Sequence, residues 1–210
     1  MMNKRVKEGI TNFHNKNPKI KFCLGTLALV GLCVMFLIIA TFTQIKFDIP
    51  NVGLATYLKF EYIPQIPVVL FTATLLGECW GLLAILLYMG FGLTNIYPVF
   101  ALGGGFSYIF QYSFGYIFAY IFSVLLVAKQ FKSGSSILNM VFALIYGVGI
   151  IHLIGIVYSV IVALIKQDSF DYIVNLIYYQ SVSKILYDLV FGFIAILLAK
   201  GARRFLWLIM

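Results

Sequence analysis

Apolar residues fill most of this chain, and short polar segments interrupt them at intervals. The interruptions leave about six apolar runs, and about 20 apolar residues are enough for a helix to cross the hydrocarbon core of a bilayer. The predicted helices cover residues 22–44, 63–76, 80–91, 106–128, 137–165 and 172–199. We therefore expect an all-α, polytopic membrane protein with a bundle of about six transmembrane helices.

The polar interruptions differ in the backbone that they predict. Residues 45–62 predict a long external loop, with re-entry into the membrane as an alternative, and Glu78 marks a tight turn. Residues 94–105 cannot stay helical because they contain a proline and three successive glycines. Non-helical backbone at this depth must face protein or a water-filled cavity. The run over 137–165 is long enough to be tilted or broken near Gly147.

Composition and charge exclude a soluble globular protein. Hydrophobic residues make up 62% of the chain and charged residues 10%, where soluble domains have about 25% charged residues. The net charge of +8 reflects basic residues before the first run, between the fourth and fifth runs and after the last run. The positive-inside rule places both termini in the cytoplasm and gives no reason to expect a nucleic-acid partner. We predict a basic segment over residues 1–21, a transmembrane domain over 22–200 and a tail over 201–210.

Motifs for catalysis are absent from the sequence. The chain has no GxxxxGK[ST], HExxH or GxSxG motif, so it cannot hydrolyse ATP by itself. His14 and His152 each stand without a second histidine or a carboxylate near them in the sequence. His152 is either functional or a packed histidine that is hydrogen-bonded to a carbonyl of a neighbouring helix. We predict no catalytic residue, no metal and no cofactor.

A glycine run directly precedes the fourth predicted helix. It consists of Gly103, Gly104 and Gly105. Free N–H groups at a helix start can bind an anion or a carbonyl oxygen, but a glycine run also ends helices and lets backbones pack closely. Asn95 adds hydrogen-bonding groups beside the run and Phe100 adds apolar surface, a mixture that is typical of small-molecule sites.

Asp188 lies inside the last apolar run. A charged residue at that depth costs about 2.5–3.5 kcal/mol on insertion scales and normally faces an interior or a cavity. Lys184 is four residues earlier, on the same helical face. The two residues could form a structural ion pair, or Asp188 could accept hydrogen bonds from a ligand while Lys184 faces a ligand carboxylate. Gln65, which lies between two prolines, is the other polar residue that we expect in a cavity.

Several short motifs follow one another along the chain. They are Leu75-Leu76-Gly77, Leu86-Leu87-Tyr88 with Gly92, Pro98-Val99-Phe100-Ala101 before the glycine run, Gly115-Tyr116 and Asp188-Leu189-Val190. Their order resembles the BioY family, the biotin-specific S components of energy-coupling-factor (ECF) transporters. The resemblance implies an S-component bundle with a substrate site formed by Gln65, Tyr88, Asn95, Phe100, Gly103, Gly104, Gly105, Tyr116, Lys184 and Asp188.

The resemblance also implies a function and partners. The chain would be the substrate-capture subunit for biotin uptake in the cell membrane, working with a membrane coupling subunit and two ATPase subunits. The ureido ring of biotin would meet residues such as Asn95 and Asp188, the carboxylate would meet a donor or Lys184, and residues 50–61 would form a lid.

The sequence departs from the family pattern at several places. Phe191 stands where the family has a lysine, and the loop between Gly92 and Pro98 is one residue longer. An S component or stand-alone facilitator for another vitamin-like substrate is therefore an alternative. A membrane-embedded lipid-modifying enzyme that uses Asp188, Glu78 or His152 is a further one.

Overall fold

The computed structural model describes residues 24–50, 57–94, 98–101, 103–134 and 136–209. In chain order the elements are α1 (Leu24–Phe42), β1 (Ile45–Pro50), β2 (Tyr57–Tyr62), α2 (Gln65–Leu93), a 3₁₀ helix (Phe106–Phe110), α3 (Phe114–Lys132), α4 (Ile137–Ile165), α5 (Phe170–Ile177), a π-helical segment (Tyr178–Val182) and α6 (Ile185–Ile209). The predicted basic segment over residues 1–21 lies outside the described residues. Helix α6 continues through the residues for which the sequence predicts a tail.

Five spans in the described part of the chain are long and apolar enough to cross a membrane. Four are α1, α2, α3 and α4, and the fifth runs from Phe170 to Phe205 and includes α5 and most of α6. This confirms the prediction of an all-α, multi-pass membrane protein.

Helix α2 reverses direction at Gly77. This residue has φ 78° and ψ −163°, a conformation that is accessible to glycine and strained for other residues. Beyond it the chain folds back, so that a Cβ on Gly81 would lie 3.6 Å from the Cα of Ala73. The arms over 65–76 and 78–93 match the second and third predicted helices. Among the described residues, the five candidate spans, one of them folded into two arms, form six helical segments.

The segment between α1 and α2 forms an antiparallel β-hairpin where the sequence predicted a long loop. Ile45 pairs with Tyr62 at its base, and Pro50 pairs with Tyr57. We call this pair of strands the hairpin, and we call the end of the bundle that carries it the hairpin end.

Helices α3 and α4 approach closely because each presents a glycine to a tyrosine of the other. A Cβ on Gly115 would lie 2.3 Å from the Tyr158 side chain, and a Cβ on Gly155 would lie 2.4 Å from the Tyr116 ring. These distances leave no room for a larger residue at either glycine. Helix α4 runs unbroken from Ile137 to Ile165, so the predicted alternative of a break near Gly147 is wrong.

Two predicted helix boundaries are wrong. The fourth helix was expected from residue 106, but a 3₁₀ helix occupies Phe106–Phe110 and α3 begins only at Phe114. The chain is interrupted at Gln111, whose backbone is extended. The last predicted helix is divided by the π-helical segment, in which the N–H of Ser183 donates to the carbonyl of Tyr178, five residues earlier, at 3.0 Å.

The two ends of the bundle differ in their chemistry. At the end opposite the hairpin, Lys132 pairs with Glu78 beside the Gly77 turn, and the Arg203 guanidinium donates to the carbonyl of Thr74 at 3.3 Å. We call this the basic end. Asp188, in the first turn of α6, lies at the hairpin end.

Candidate functional site

Asp188 is buried at the hairpin end, with 2% of its surface exposed. Its Oδ1 accepts a 2.7 Å hydrogen bond from the hydroxyl of Tyr62, the last residue of the hairpin. Its Oδ2 lies 3.1 Å from Nε2 of His152, which comes from α4. Two partners from different elements offset the cost of burying the carboxylate. Burial, followed by the charge of Asp188, raises the pKa of the Tyr62 hydroxyl far above its ordinary value, so Tyr62 stays protonated and donates.

Two further side chains extend this arrangement to the π-helical segment and to α3. Nδ1 of His152 lies 3.0 Å from Oγ of Ser181, and that oxygen lies 2.6 Å from the hydroxyl of Tyr116. The Tyr116 ring also meets the His152 ring edge-on, with centroids 6.1 Å apart. We call the set Tyr62, Asp188, His152, Ser181 and Tyr116 the Asp188 network.

A second polar group forms around the side-chain amide of Gln65, at the start of α2. Its Oε1 accepts from the hydroxyl of Tyr120 at 3.0 Å. Its Nε2 donates to Oγ1 of Thr41 at 2.5 Å and to the hydroxyl of Tyr88 at 3.1 Å. We call these four residues the amide cluster. Tyr120 also interacts electrostatically with Asp188, so the two polar groups are neighbours in the bundle interior.

The glycine run forms a tight turn instead of a helix start with free N–H groups. The N–H of Gly103 donates to the carbonyl of Phe100 at 3.0 Å, and the N–H of Gly105 donates to the carbonyl of Gly92 at 2.9 Å. Gly103 and Gly105 have φ values of 130° and 84°, which favour glycine. The prediction that their N–H groups are free is therefore wrong, because one donates within the turn and the other donates to α2. Gly104 lies between them.

Aromatic rings form an apolar wall beside the amide cluster. The buried Phe100 ring packs edge-on against Tyr88, with centroids 5.6 Å apart, and in a tilted arrangement against Tyr108, with centroids 4.6 Å apart. The position of the Phe100 ring requires glycine at residue 92, because a Cβ at residue 92 would lie 2.1 Å from that ring. The turn over residues 98–105 is thereby fixed to the end of α2.

A comparison with known protein families assigns the family of this chain. A model described as the BioY family matches residues 11–207. The chain belongs to the BioY family. Its fold is similar to that in a crystal structure at 2.1 Å of the S component for biotin from an ECF-type ABC transporter. The TM-score is 0.63 at 16% sequence identity, over 97% of this chain and 95% of that chain. No curated protein sequence matches the chain.

In this BioY-family chain the structure places several of the predicted site residues at the hairpin end. Gln65 and Tyr88 belong to the amide cluster, Tyr116 and Asp188 belong to the Asp188 network, and Phe100 contacts Tyr88. Asn95 lies outside the described residues. Their part in substrate binding stays a prediction.

The predicted alternative of a Lys184–Asp188 ion pair is wrong. Within 4.0 Å, and among the residues that the structure describes, the basic side chain that contacts Asp188 is that of His152. Lys184 is half-buried in the turn before α6 and interacts electrostatically with Asp188 and Glu61 over a longer distance. Its ammonium group is therefore not committed to Asp188 in this structure.

Sequence reasoning missed most of the partners of Asp188. His152 was expected to have no carboxylate near it, yet it contacts Asp188, which is 36 residues later in the chain. Tyr62 and Ser181 were missed as well. In the described part of the chain, no group of three or more His, Cys, Asp or Glu residues is placed to hold a metal ion.

Phe191, which stands where the BioY family has a lysine, lies among aromatic and apolar side chains. The Phe191 ring stacks on the Tyr62 ring, with centroids 5.5 Å apart and planes 26° apart. Phe191 also lines an apolar cleft of about 290 Å³ between α1, the first arm of α2 and α6. The cleft has no hydrogen-bonding side chain in its lining, so it is distinct from the polar site.

Proposed function

We propose that this chain is the substrate-capture subunit for biotin uptake, and that it works with a membrane coupling subunit and two ATPase subunits. The observation that carries the proposal is the BioY-family match over residues 11–207. The S component whose fold it shares is one for biotin. The BioY family and the S-component fold are those of transport subunits, not enzymes.

The chemistry of the Asp188 network supports an N–H-bearing substrate. An ionised carboxylate only accepts hydrogen bonds, so a ligand group that reaches Asp188 must be a donor. The ureido ring of biotin has two N–H groups and one carbonyl oxygen. In this proposal Asp188 accepts from one N–H group, and donors of the amide cluster such as Gln65 and Tyr120 exchange their partners within the cluster for the carbonyl.

The remaining parts of biotin are assigned by the same reasoning. The apolar wall of Phe100 and Tyr88 receives the sulfur-containing ring, since small-molecule sites combine apolar walls with few polar groups. The half-buried Lys184 binds the carboxylate, because its charge is not committed to an ion pair within 4.0 Å among the described residues. Asn95 contributes a further hydrogen bond, and the turn containing Gly103, Gly104 and Gly105 closes one side.

The hairpin acts as the lid of the site in this proposal. Tyr62, its last residue, donates to Asp188 at 2.7 Å and so attaches the hairpin to the site. In this proposal the Tyr62–Asp188 hydrogen bond breaks when the hairpin opens to admit the substrate.

The orientation in the cell membrane follows from the distribution of charge. Lys129 and Lys132 end α3, and Arg203 and Arg204 lie near the end of α6, at the basic end. The positive-inside rule places this end, and with it both termini, in the cytoplasm. The hairpin end faces outward, where the substrate is captured.

Uptake of radiolabelled biotin by biotin-auxotrophic cells tests the proposal. Cells that express the chain with the coupling subunit and ATPases should accumulate biotin, and Asp188→Asn should reduce accumulation about tenfold or more, since a hydrogen bond to a charged group contributes about 1.5–3 kcal/mol. Asp171→Asn, at an exposed position of α5, is the matched control. Equal uptake by both variants would show that Asp188 is not in the site. Equal uptake without the partner subunits would indicate a stand-alone facilitator.

A different vitamin-like substrate is the second candidate, and Phe191 favours it. The side chain at this position packs on Tyr62 and offers no charge to a ligand. Binding of thiamin or riboflavin, with no binding of biotin, would support this candidate.

A further inference from the structure

His152 is the partner of Asp188 that belongs to the helical scaffold. It lies midway along α4 and is 4% exposed. The other hydrogen-bond partner, Tyr62, belongs to the hairpin. If the hairpin moves to admit a substrate, Asp188 loses its contact with Tyr62. The contact between His152 Nε2 and Asp188 Oδ2 then remains, because His152 belongs to a transmembrane helix.

The hydrogen bonds around His152 fit one donor-to-acceptor order along the side chains. An ionised carboxylate only accepts hydrogen bonds, so with Asp188 ionised the proton in this contact is on Nε2 of His152. In a neutral imidazole the other nitrogen is then an acceptor, so Nδ1 accepts from the hydroxyl of Ser181. Oγ of Ser181 in turn accepts from the hydroxyl of Tyr116. Every donor in this order, from Tyr116 through Ser181 and His152 to Asp188, has an acceptor.

We propose that His152, as the neutral Nε2–H tautomer, is a positioning residue that holds the Asp188 carboxylate in place to accept a hydrogen bond from a substrate N–H group. The inference rests on the proposed function, in which Asp188 contacts the substrate. His152 itself acts through Asp188. Its role is to hold the Asp188 carboxylate in place after the Tyr62 hydroxyl has left it with the hairpin.

The other charged and titratable groups near the pair do not replace His152. Lys184 and Tyr120 interact with Asp188 electrostatically, and Lys184 also interacts with Glu61. In the part of the chain that the structure describes, His152 is the basic side chain that contacts Asp188 within 4.0 Å, at 3.1 Å. A variant at residue 152 therefore changes the contact that orients the carboxylate.

Nitrogen-15 NMR of histidine-labelled protein tests the tautomer without any ligand. The chain has two histidines, so His14→Gln leaves His152 as the single labelled ring. At neutral pH we expect a protonated Nε2 and an unprotonated Nδ1, and Asp188→Asn should shift the Nε2 signal. A proton on Nδ1, or no response to Asp188→Asn, would overturn the assignment.

Calorimetric binding of biotin to two variants tests the positioning role. His152→Gln retains an N–H donor that can reach Asp188, whereas His152→Leu has none. We expect the Kd to stay within about threefold for the Gln variant and to rise about tenfold or more for the Leu variant, because a hydrogen bond to a charged group is lost. Ser123→Ala is the control, since Ser123 is buried like His152 but lies on α3 and donates to the carbonyl of Gly147 at 3.0 Å, outside the Asp188 network.

The outcomes separate this inference from the proposed function. Equal losses for the Gln and Leu variants, with melting temperatures like that of the unsubstituted chain, would reduce His152 to a packing residue and overturn the inference. If the unsubstituted chain binds no biotin, the proposed function fails, and the NMR result still decides the His152 assignment. If the Leu variant does not fold, the Kd of the Gln variant and the NMR spectrum together test the role of His152.

Discussion

Replacing Tyr62 by Phe removes the hydroxyl group that joins the hairpin to Asp188 of α6. The ring contacts remain available, because Tyr62 stacks on Phe191 at 5.5 Å and packs against Tyr187 at 5.7 Å. What is lost is the 2.7 Å hydrogen bond to Oδ1 of Asp188. The variant therefore isolates one polar contact from the apolar packing around it.

The expected magnitude follows from the burial of that contact. A hydrogen bond to a charged group contributes about 1.5–3 kcal/mol, and Asp188 is 2% exposed. The Lys46–Glu61 ion pair joins the two strands of the hairpin to each other, so it cannot replace the lost attachment. Because about 1.4 kcal/mol corresponds to a factor of ten, the population with a detached hairpin should rise about 10- to 150-fold.

Hydrogen–deuterium exchange in nanodiscs measures this population. A two-stranded hairpin without further packing is only marginally stable in water, so detachment exposes the amides of residues 45–49 and 57–62 to exchange. Exchange there should accelerate by the same factor in Tyr62→Phe. The control is Tyr108→Phe, which removes a hydroxyl that bonds to Ser113 at 2.9 Å. Hairpin exchange that is the same in Tyr62→Phe and in the unsubstituted chain would refute the reasoning.

Three further predictions concern packing, topology and ligand charge. Gly92→Ala should destabilise the protein by about 1–3 kcal/mol in thermal melts, because its Cβ would meet the Phe100 ring at 2.1 Å. Gly90→Ala is the control: its Cβ meets nothing within 4 Å and alanine favours the helix, so it should not destabilise the protein. Equal melting temperatures of the two variants would contradict this. Cys79 is an exposed thiol near the Gly77 turn. In a variant that retains it as the single cysteine, it should react with a membrane-impermeant maleimide in inverted vesicles and not in right-side-out vesicles. The reverse pattern would invert the proposed orientation. Lys184→Ala should weaken binding of biotin more than binding of biotin amide, and equal losses would exclude charge pairing with the carboxylate.

The helices were predictable because the thickness of the bilayer sets the length of the apolar runs. The prediction for residues 137–165 agrees with α4 at both ends. The turn at Gly77 was predictable as well, since Glu78 interrupts an otherwise apolar stretch. The hairpin was missed although its strands alternate apolar and charged residues, as in Ile45-Lys46-Phe47-Asp48, which is the period of a strand.

The Asp188 network could not be predicted from one sequence. His152 and Asp188 are 36 residues apart on different helices, and whether they meet depends on the rotation of each helix about its axis. Their apolar surroundings give little information on that rotation, because lipid-facing and protein-facing residues are both hydrophobic. The π-helical segment adds a second obstacle, since it changes the register of the chain and brings Ser181 to His152.

Calorimetric titration of biotin into the detergent-purified chain, without partner subunits, tests the central claim most directly. Thiamin and riboflavin serve as controls for other vitamin substrates. The account predicts saturable binding of biotin with one site per chain and no binding of the two controls. A folded sample that does not bind biotin would contradict the assignment of substrate, and the first residue to examine would then be Phe191, which packs on Tyr62 beside Asp188.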